Sequence, residues 1–289
     1  MIANEIINKE FDQILKSRFF KSENDRTRFI NSLNDDILVI PVTDPFSKEG
    51  RALKLIESAR YLDDSKGIVM AREALEIDPN CIEAYNYLGE CEDSDSKAIA
   101  YFKKGISLGR KSLGRDYFKE NRGLFCSIPE TRSFMECLAG YASILESNNI
   151  VEEAIRIFEL VLSLNIKDHL HVRHPLMLLL IKSNNHKKFT KYERRFFDDD
   201  CIYYHFNRTL FYYKTTGDSK IANELLNLAI SKNSFVVPSL VSVSRSKRLP
   251  DNEDKALTWG FMYSLLAKDY WIQTEGAINW LRKKTNVRN

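Results

Sequence analysis

The chain has 289 residues, 44% of them hydrophobic, with 11 Gly and 7 Pro. That composition supplies an ample core and excludes collagen-like or linker-dominated sequence. The net charge of +3 hides an asymmetry, because residues 1–150 carry 21 Lys+Arg against 25 Asp+Glu while residues 151–289 carry 22 against 15; a bipolar chain favours charged protein partners over nucleic acid.

In chain order, the opening "MIANEIINKEFDQIL" interrupts its apolar residues with Glu5, Glu10 and Asp12 and has no basic stretch ahead of an apolar run, so no secretory signal is expected. Residues 1–47 read as one or two helices and then the β-branched run "ILVIPV" at 37–42, a short extended segment. Beyond it a helical pattern takes over. Residues spaced i, i+4, i+7 recur as Gly67/Ala71/Ala74, Ala98/Phe102/Gly105, Ala154/Phe158/Val161 and Ala222/Leu226/Ala229, the pattern of a helix squeezed between two neighbours. Asp78-Pro79-Asn80 stops the first of these helices, and Tyr85, Leu88 and Gly89 share a face of the next. The longest apolar run, "PLMLLLI" at 175–181, is too short to span a membrane. Cys81, Cys91, Cys126, Cys137 and Cys201 are odd in number and widely spaced, which implies reduced core thiols and a cytoplasmic location rather than a disulfide framework.

This pattern resembles the tetratricopeptide repeat, a helical hairpin of about 34 residues with Leu-Gly on the first helix, Ala and an aromatic on the second, and Pro at its end. The resemblance implies an all-α fold: a right-handed α-solenoid of about five such hairpins with an insertion and a C-terminal helical cap. The expected segments are an N-terminal region at 1–47, two repeats at 48–108, the insertion at 109–130, three repeats at 131–236, and a linker with capping helices at 237–289. The cap would cover the apolar face of the last repeat with Trp259, Phe261, Tyr263, Leu266, Trp271, Trp280 and Leu281. In the fourth, degenerate repeat Thr190 and Arg194 occupy the Ala and aromatic places. Four segments, "AREALEIDPNCIEAYNYLGE", "LGRDYFKENRGLFCSIPETRSFM", "KNSFVVPSLVSVSRSKRLP" and "WIQTEGAINWLR", are similar more narrowly to a bacterial branch of tetratricopeptide proteins related to the suppressor-of-tumorigenicity proteins. That similarity implies a scaffold-like role and carries over no catalytic residue.

Three constellations invite a chemical reading, and each has a structural one. His169-x-His171-x2-His174 has metal-ligand character, but no Cys or carboxylate lies at ligand spacing, and Asp168 reads as the N-cap of a helix carrying His171 and His174 on one face. Asp198-Asp199-Asp200 contains an Asp-x-Asp, yet between two helices it suits capping. Glu130 and Arg132 suit a dipole contact and a tie to a neighbouring helix. There is no Gly-x-Ser-x-Gly elbow and no phosphate-binding glycine loop, and "SRSKRLP" is too short for a nucleic-acid surface. The expectation is a non-enzyme with no cofactor and no metal.

What remains is a surface. First helices of stacked hairpins line the concave face, which assigns Glu83, Asn86, Glu90 and Asp93, then Glu136, Ser143 and Glu146, then Val172, Leu179 and Lys182, and finally Tyr204, Asn207, Phe211 and Lys214 to a groove running from acidic to apolar to basic. Aromatics between Phe196 and Tyr213 would supply both core and a hot-spot patch. The expected partner is one larger protein or a segment of it, not nucleic acid or membrane, and the sequence gives no oligomeric state. Finer readings are a regulator that restrains a bacterial effector or toxin, translocated into a host cell in that case, and a peptide sensor whose insertion moves. A metal-dependent enzyme built on His171/His174 or Asp198–Asp200 is the third.

Overall fold

The computed structural model describes residues 44–242 and 255–285. The expected extended run at 37–42 and the basic "SRSKRLP" lie outside the described residues. Those described form thirteen α-helices and no β-strand; the sole β feature among them is an isolated bridge between Leu124 and Asn165. No helix among them is long and apolar enough to cross a membrane. The five cysteines are free thiols.

The chain divides into two compact units, residues 1–170 and 171–289, so the boundary falls inside the expected 131–236 segment. The first unit holds three hairpins: α1 (Lys48–Ala59) with α2 (Asp64–Ile77), α3 (Ile82–Cys91) with α4 (Asp95–Glu120), and α5 (Arg132–Ser147) with α6 (Val151–Leu164). Side-chain caps start several helices. Ser47 accepts from the Gly50 amide and Asp63 from the Lys66 amide, each satisfying an end donor that the helix cannot. The Lys66 and Ser65 side chains and the Lys66 amide hold the Asp63 carboxyl down at about 2. Asp78-Pro79-Asn80 ends α2 as the sequence requires.

The recurring triplets are the buried stripes of the second helices. All twelve residues, from Gly67 to Ala229, are buried: each second helix packs on its own partner, and α2 and α4 also pack on the first helix of the next hairpin. Helix α4 continues through the expected insertion to Glu120, broken at Gly114, whose φ of 72° is open to glycine at little cost. Two short 3-10 turns, Phe125–Ser127 and Pro129–Thr131, then lead into α5. The Thr131 hydroxyl donates to the carbonyls of Phe125 and Ile128, and Arg132 Nε donates to the Cys126 carbonyl at 3.3 Å. Arg132 therefore ties the start of its own helix back to the first of the two 3-10 turns.

The second unit contains α7 (Arg173–Lys182) with α8 (His186–Arg195), α9 (Ile202–Thr216) with α10 (Lys220–Lys232), and three closing helices, α11 (Val236–Val241), α12 (Lys255–Gln273) and α13 (Ala277–Thr285). Two local expectations are corrected here. Asp168 does not cap α7: that helix starts at Arg173, and Asp168 and His171 both have left-handed backbones, with φ of 54° and 53°. In α8 the buried face is Phe189, Tyr192 and Glu193, not Thr190 and Arg194, because aromatic residues rather than small ones fill the gap behind that helix.

The closing helices do more than cover the end of the array. Helix α12 lies against both α7 and α9, the first helices of the unit's two hairpins, and α13 also touches α9. Tyr263, Trp271, Trp280 and Leu281 are buried in these contacts, whereas Trp259 is 55% exposed.

Candidate functional site

The first helices of the first unit pack on one another in succession, α1 on α3 and α3 on α5, so that their outward positions form one continuous inner face. On α3, Glu83, Asn86 and Glu90 follow a three-to-four-residue spacing and share a side. On α5, Ser133 and Glu136 meet them. Ser133 Oγ donates to Glu83 Oε1 at 2.8 Å; Asn86 Nδ2 donates to Glu90 Oε1 at 2.9 Å and to Glu136 Oε2 at 3.4 Å. Two carboxylates thus meet on the Asn86 amide, and a third, Glu83, is held beside them by Ser133. The nearest cationic partner is Arg60, at the end of α1, with Nη2 3.8 Å from Glu136 Oε2 and both side chains part-exposed.

Asn86 itself is fully buried, and its Oδ1 has no hydrogen-bond partner among the described residues. An unpaired buried acceptor is costly, so Asn86 is a position where packing and charge placement are in tension. Burial raises the pKa of Glu136, and Glu90 and Glu83 push in the same direction, against the opposing pull of Arg60 and Arg132. The native state consequently binds the Glu136 proton more tightly than the unfolded chain does, and stability is lost as pH rises from the ordinary glutamate range through the raised value. Glu136→Gln is expected to raise the unfolding midpoint at neutral pH, with the gain vanishing in acid below the ordinary glutamate range. Chemical denaturation at both pH values checks this, and a variant weaker than wild type at neutral pH would mean that the Arg60 contact outweighs burial.

The other expected surface residues are distributed differently. Asp93 lies beyond the end of α3 and is exposed; Ser143 is exposed and Glu146 half-buried, further along α5. In the second unit, Lys182 and Lys214 come together beside a small pocket of about 110 Å³ that also takes in Tyr270, Gln273 and Thr274. Lys214 Nζ donates to the Ile181 carbonyl at 2.7 Å, and burial lowers its pKa.

Asn86, Tyr204, Asn207 and Phe211 are not exposed groove residues; nor are Val172 and Leu179, all of them buried. The reasons are specific. Tyr204 turns its hydroxyl to the Glu193 carbonyl at 3.0 Å, and Phe211 stacks on Phe189 with ring centroids 3.8 Å apart. Asn207 donates to the His174 carbonyl and accepts from Tyr263 of α12, both at 3.1 Å. Helix α12 therefore occupies the side of α7 and α9 where an external ligand was expected.

A second cluster escaped the sequence because its members come from separate segments. His174 near the start of α7 faces Cys201, the residue preceding α9, with Nε2 3.6 Å from Sγ. Asp199 accepts from the Cys201 amide at 3.0 Å and pairs with Arg173 Nε at 2.7 Å. Asp200 instead pairs with Lys232 and His205. Burial, reinforced by Arg173, pushes the His174 imidazole well below its usual range, and burial pushes the Cys201 thiol up to about 12.

No protein-family model matches the chain, and no curated protein matches it. Among solved structures, the chain is similar to YrrB, described as a TPR protein with an unusual peptide-binding site, at 16% identity and a TM-score of 0.43, over 63% of this chain and 87% of that one.

Proposed function

We propose that the chain is a non-enzymatic protein-binding module that captures a cationic segment of a partner protein on the inner face of its first unit. The observation that carries this reading is the clustering of Glu83, Glu90 and Glu136 on facing sides of α3 and α5, where Asn86 Nδ2 bridges Glu90 and Glu136 and Ser133 holds Glu83. A guanidinium supplies several donors in a fixed planar array and suits paired carboxylates. The second unit supports the assignment by contrast, since α12 already covers its first helices. Restraint of an effector or toxin, one of the finer readings of the sequence, is one form of such capture; there the bound partner's own activity falls.

The test compares wild type with Glu83→Lys/Glu90→Lys in capture of partner proteins and of arginine-bearing and acidic control peptides. Glu90 is exposed and Glu83 half-buried, and circular dichroism should show the variant folded. The expected result is at least a tenfold loss of binding in the variant, together with a strong salt dependence in wild type. Binding indifferent to both the charge reversal and salt would sink the reading.

A further inference from the structure

We propose that His174, Cys201 and Asp199 form a binding site for a divalent cation of the zinc class, joining the start of α7 to the start of α9. The inference is independent of the protein-binding role. One ligand atom from each residue lies within 4.8 Å of the other two. A tetrahedral zinc centre with bonds of about 2.3 Å to sulfur and about 2.0–2.1 Å to nitrogen has a sulfur–nitrogen edge of about 3.5 Å. The observed separation of Cys201 Sγ and His174 Nε2, 3.6 Å, fits that edge.

The donor set selects the metal. Thiolate and imidazole favour a borderline-soft cation, whereas magnesium, calcium and manganese prefer oxygen ligands. Three protein ligands leave the fourth tetrahedral position to solvent.

The surroundings supply what metal ligands need. Asp199 is oriented from outside by Arg173 and by the Cys201 amide, the outer hydrogen bonds that fix a ligating carboxylate. Cys201 stands at the N-terminus of the 15-residue α9, and the Tyr204 amide donates to its Sγ at 3.5 Å, so the helix end favours the thiolate. His174 is 94% buried by its 6% exposure, and its Nδ1 has no partner among the described residues. Nε2, the other ring nitrogen, is the one turned to Cys201 Sγ. When the metal–sulfur bond forms, the Sγ proton leaves to solvent and nothing is oxidised or reduced.

Cobalt(II) titrated into the chelator-treated full chain tests the site, because a thiolate ligand produces an intense charge-transfer absorption that carboxylate and imidazole do not. The expected outcome is one cobalt per chain with that band, its displacement by zinc, and loss of the band in Cys201→Ser while Cys91→Ser retains it. Asp199→Asn should weaken cobalt binding at least tenfold. No band in wild type, or a band that persists in Cys201→Ser, would overturn the site. The wild-type titration decides the matter even where a variant fails to fold.

Discussion

Trp271→Ala should cost the second unit about 3–5 kcal/mol of folding stability, the range for removing a large aromatic from a core. Trp271 is fully buried on α12, and its Nε1 donates to Tyr263 Oη at 3.1 Å. Tyr263, also fully buried, donates its hydroxyl hydrogen bond to Asn207 Oδ1 on α9, and Asn207 donates to the His174 carbonyl on α7. One side chain therefore anchors a relay through three helices. Truncation to alanine removes the indole, opens a cavity and leaves the Tyr263 oxygen without its donor, so the transfer and hydrogen-bond costs fall together. Trp271→Phe separates them: it keeps most of the volume and should lose only about 1–2 kcal/mol. Denaturant unfolding gives the magnitudes, and amide exchange should place the loss in α7, α9 and α12. A Trp271→Ala protein within about 1 kcal/mol of wild type would show that α12 is not a structural part of the unit.

That relay also explains which features were legible in the sequence. The triplets at Gly67, Ala98, Ala154 and Ala222 were readable because close helix packing imposes a local period on residue size, and all of them are buried. The Asp78-Pro79-Asn80 stop was readable for an equally local reason. Whether Asn207 faces solvent, by contrast, depends on Tyr263, 56 residues later, and no helical period carries that information. Asn86 is hidden by the same kind of distance, since its partner Glu136 lies 50 residues on. The pairing of His174 with Cys201 spans 27 residues and two helices, outside the short ligand spacings by which a metal motif is recognised. In the loop before α7 no glycine announces the left-handed turns; Asp168 and His171 adopt them instead, as short polar residues more readily do. That Glu83 and Glu90 share a helix face, by contrast, is determined by their spacing alone.

Phe102→Ala is expected to cost the first unit about 3–5 kcal/mol, and the reason lies in two glycines. The ring on α4 is 2% exposed and fills the space between α3 and α5. A Cβ added to Gly89 on α3 would sit 2.7 Å from the ring, and one added to Gly140 on α5 would sit 2.5 Å from it, closer than carbon atoms tolerate. The absence of side chains at both positions thus makes room for this one. Gly140→Ala alone should destabilise by about 1–3 kcal/mol through overpacking, whereas in a Phe102→Leu background the same change should cost less. The double-mutant cycle should return a coupling of about 0.5–3 kcal/mol; strict additivity would mean that the ring does not set the spacing. Since the same ring separates the helices that carry Glu83 and Glu136, Gly140→Ala should also weaken capture of a cationic segment without altering any residue of the acidic face. A Gly140→Ala protein that loses stability but binds undiminished would uncouple the carboxylate cluster from the packing beneath it.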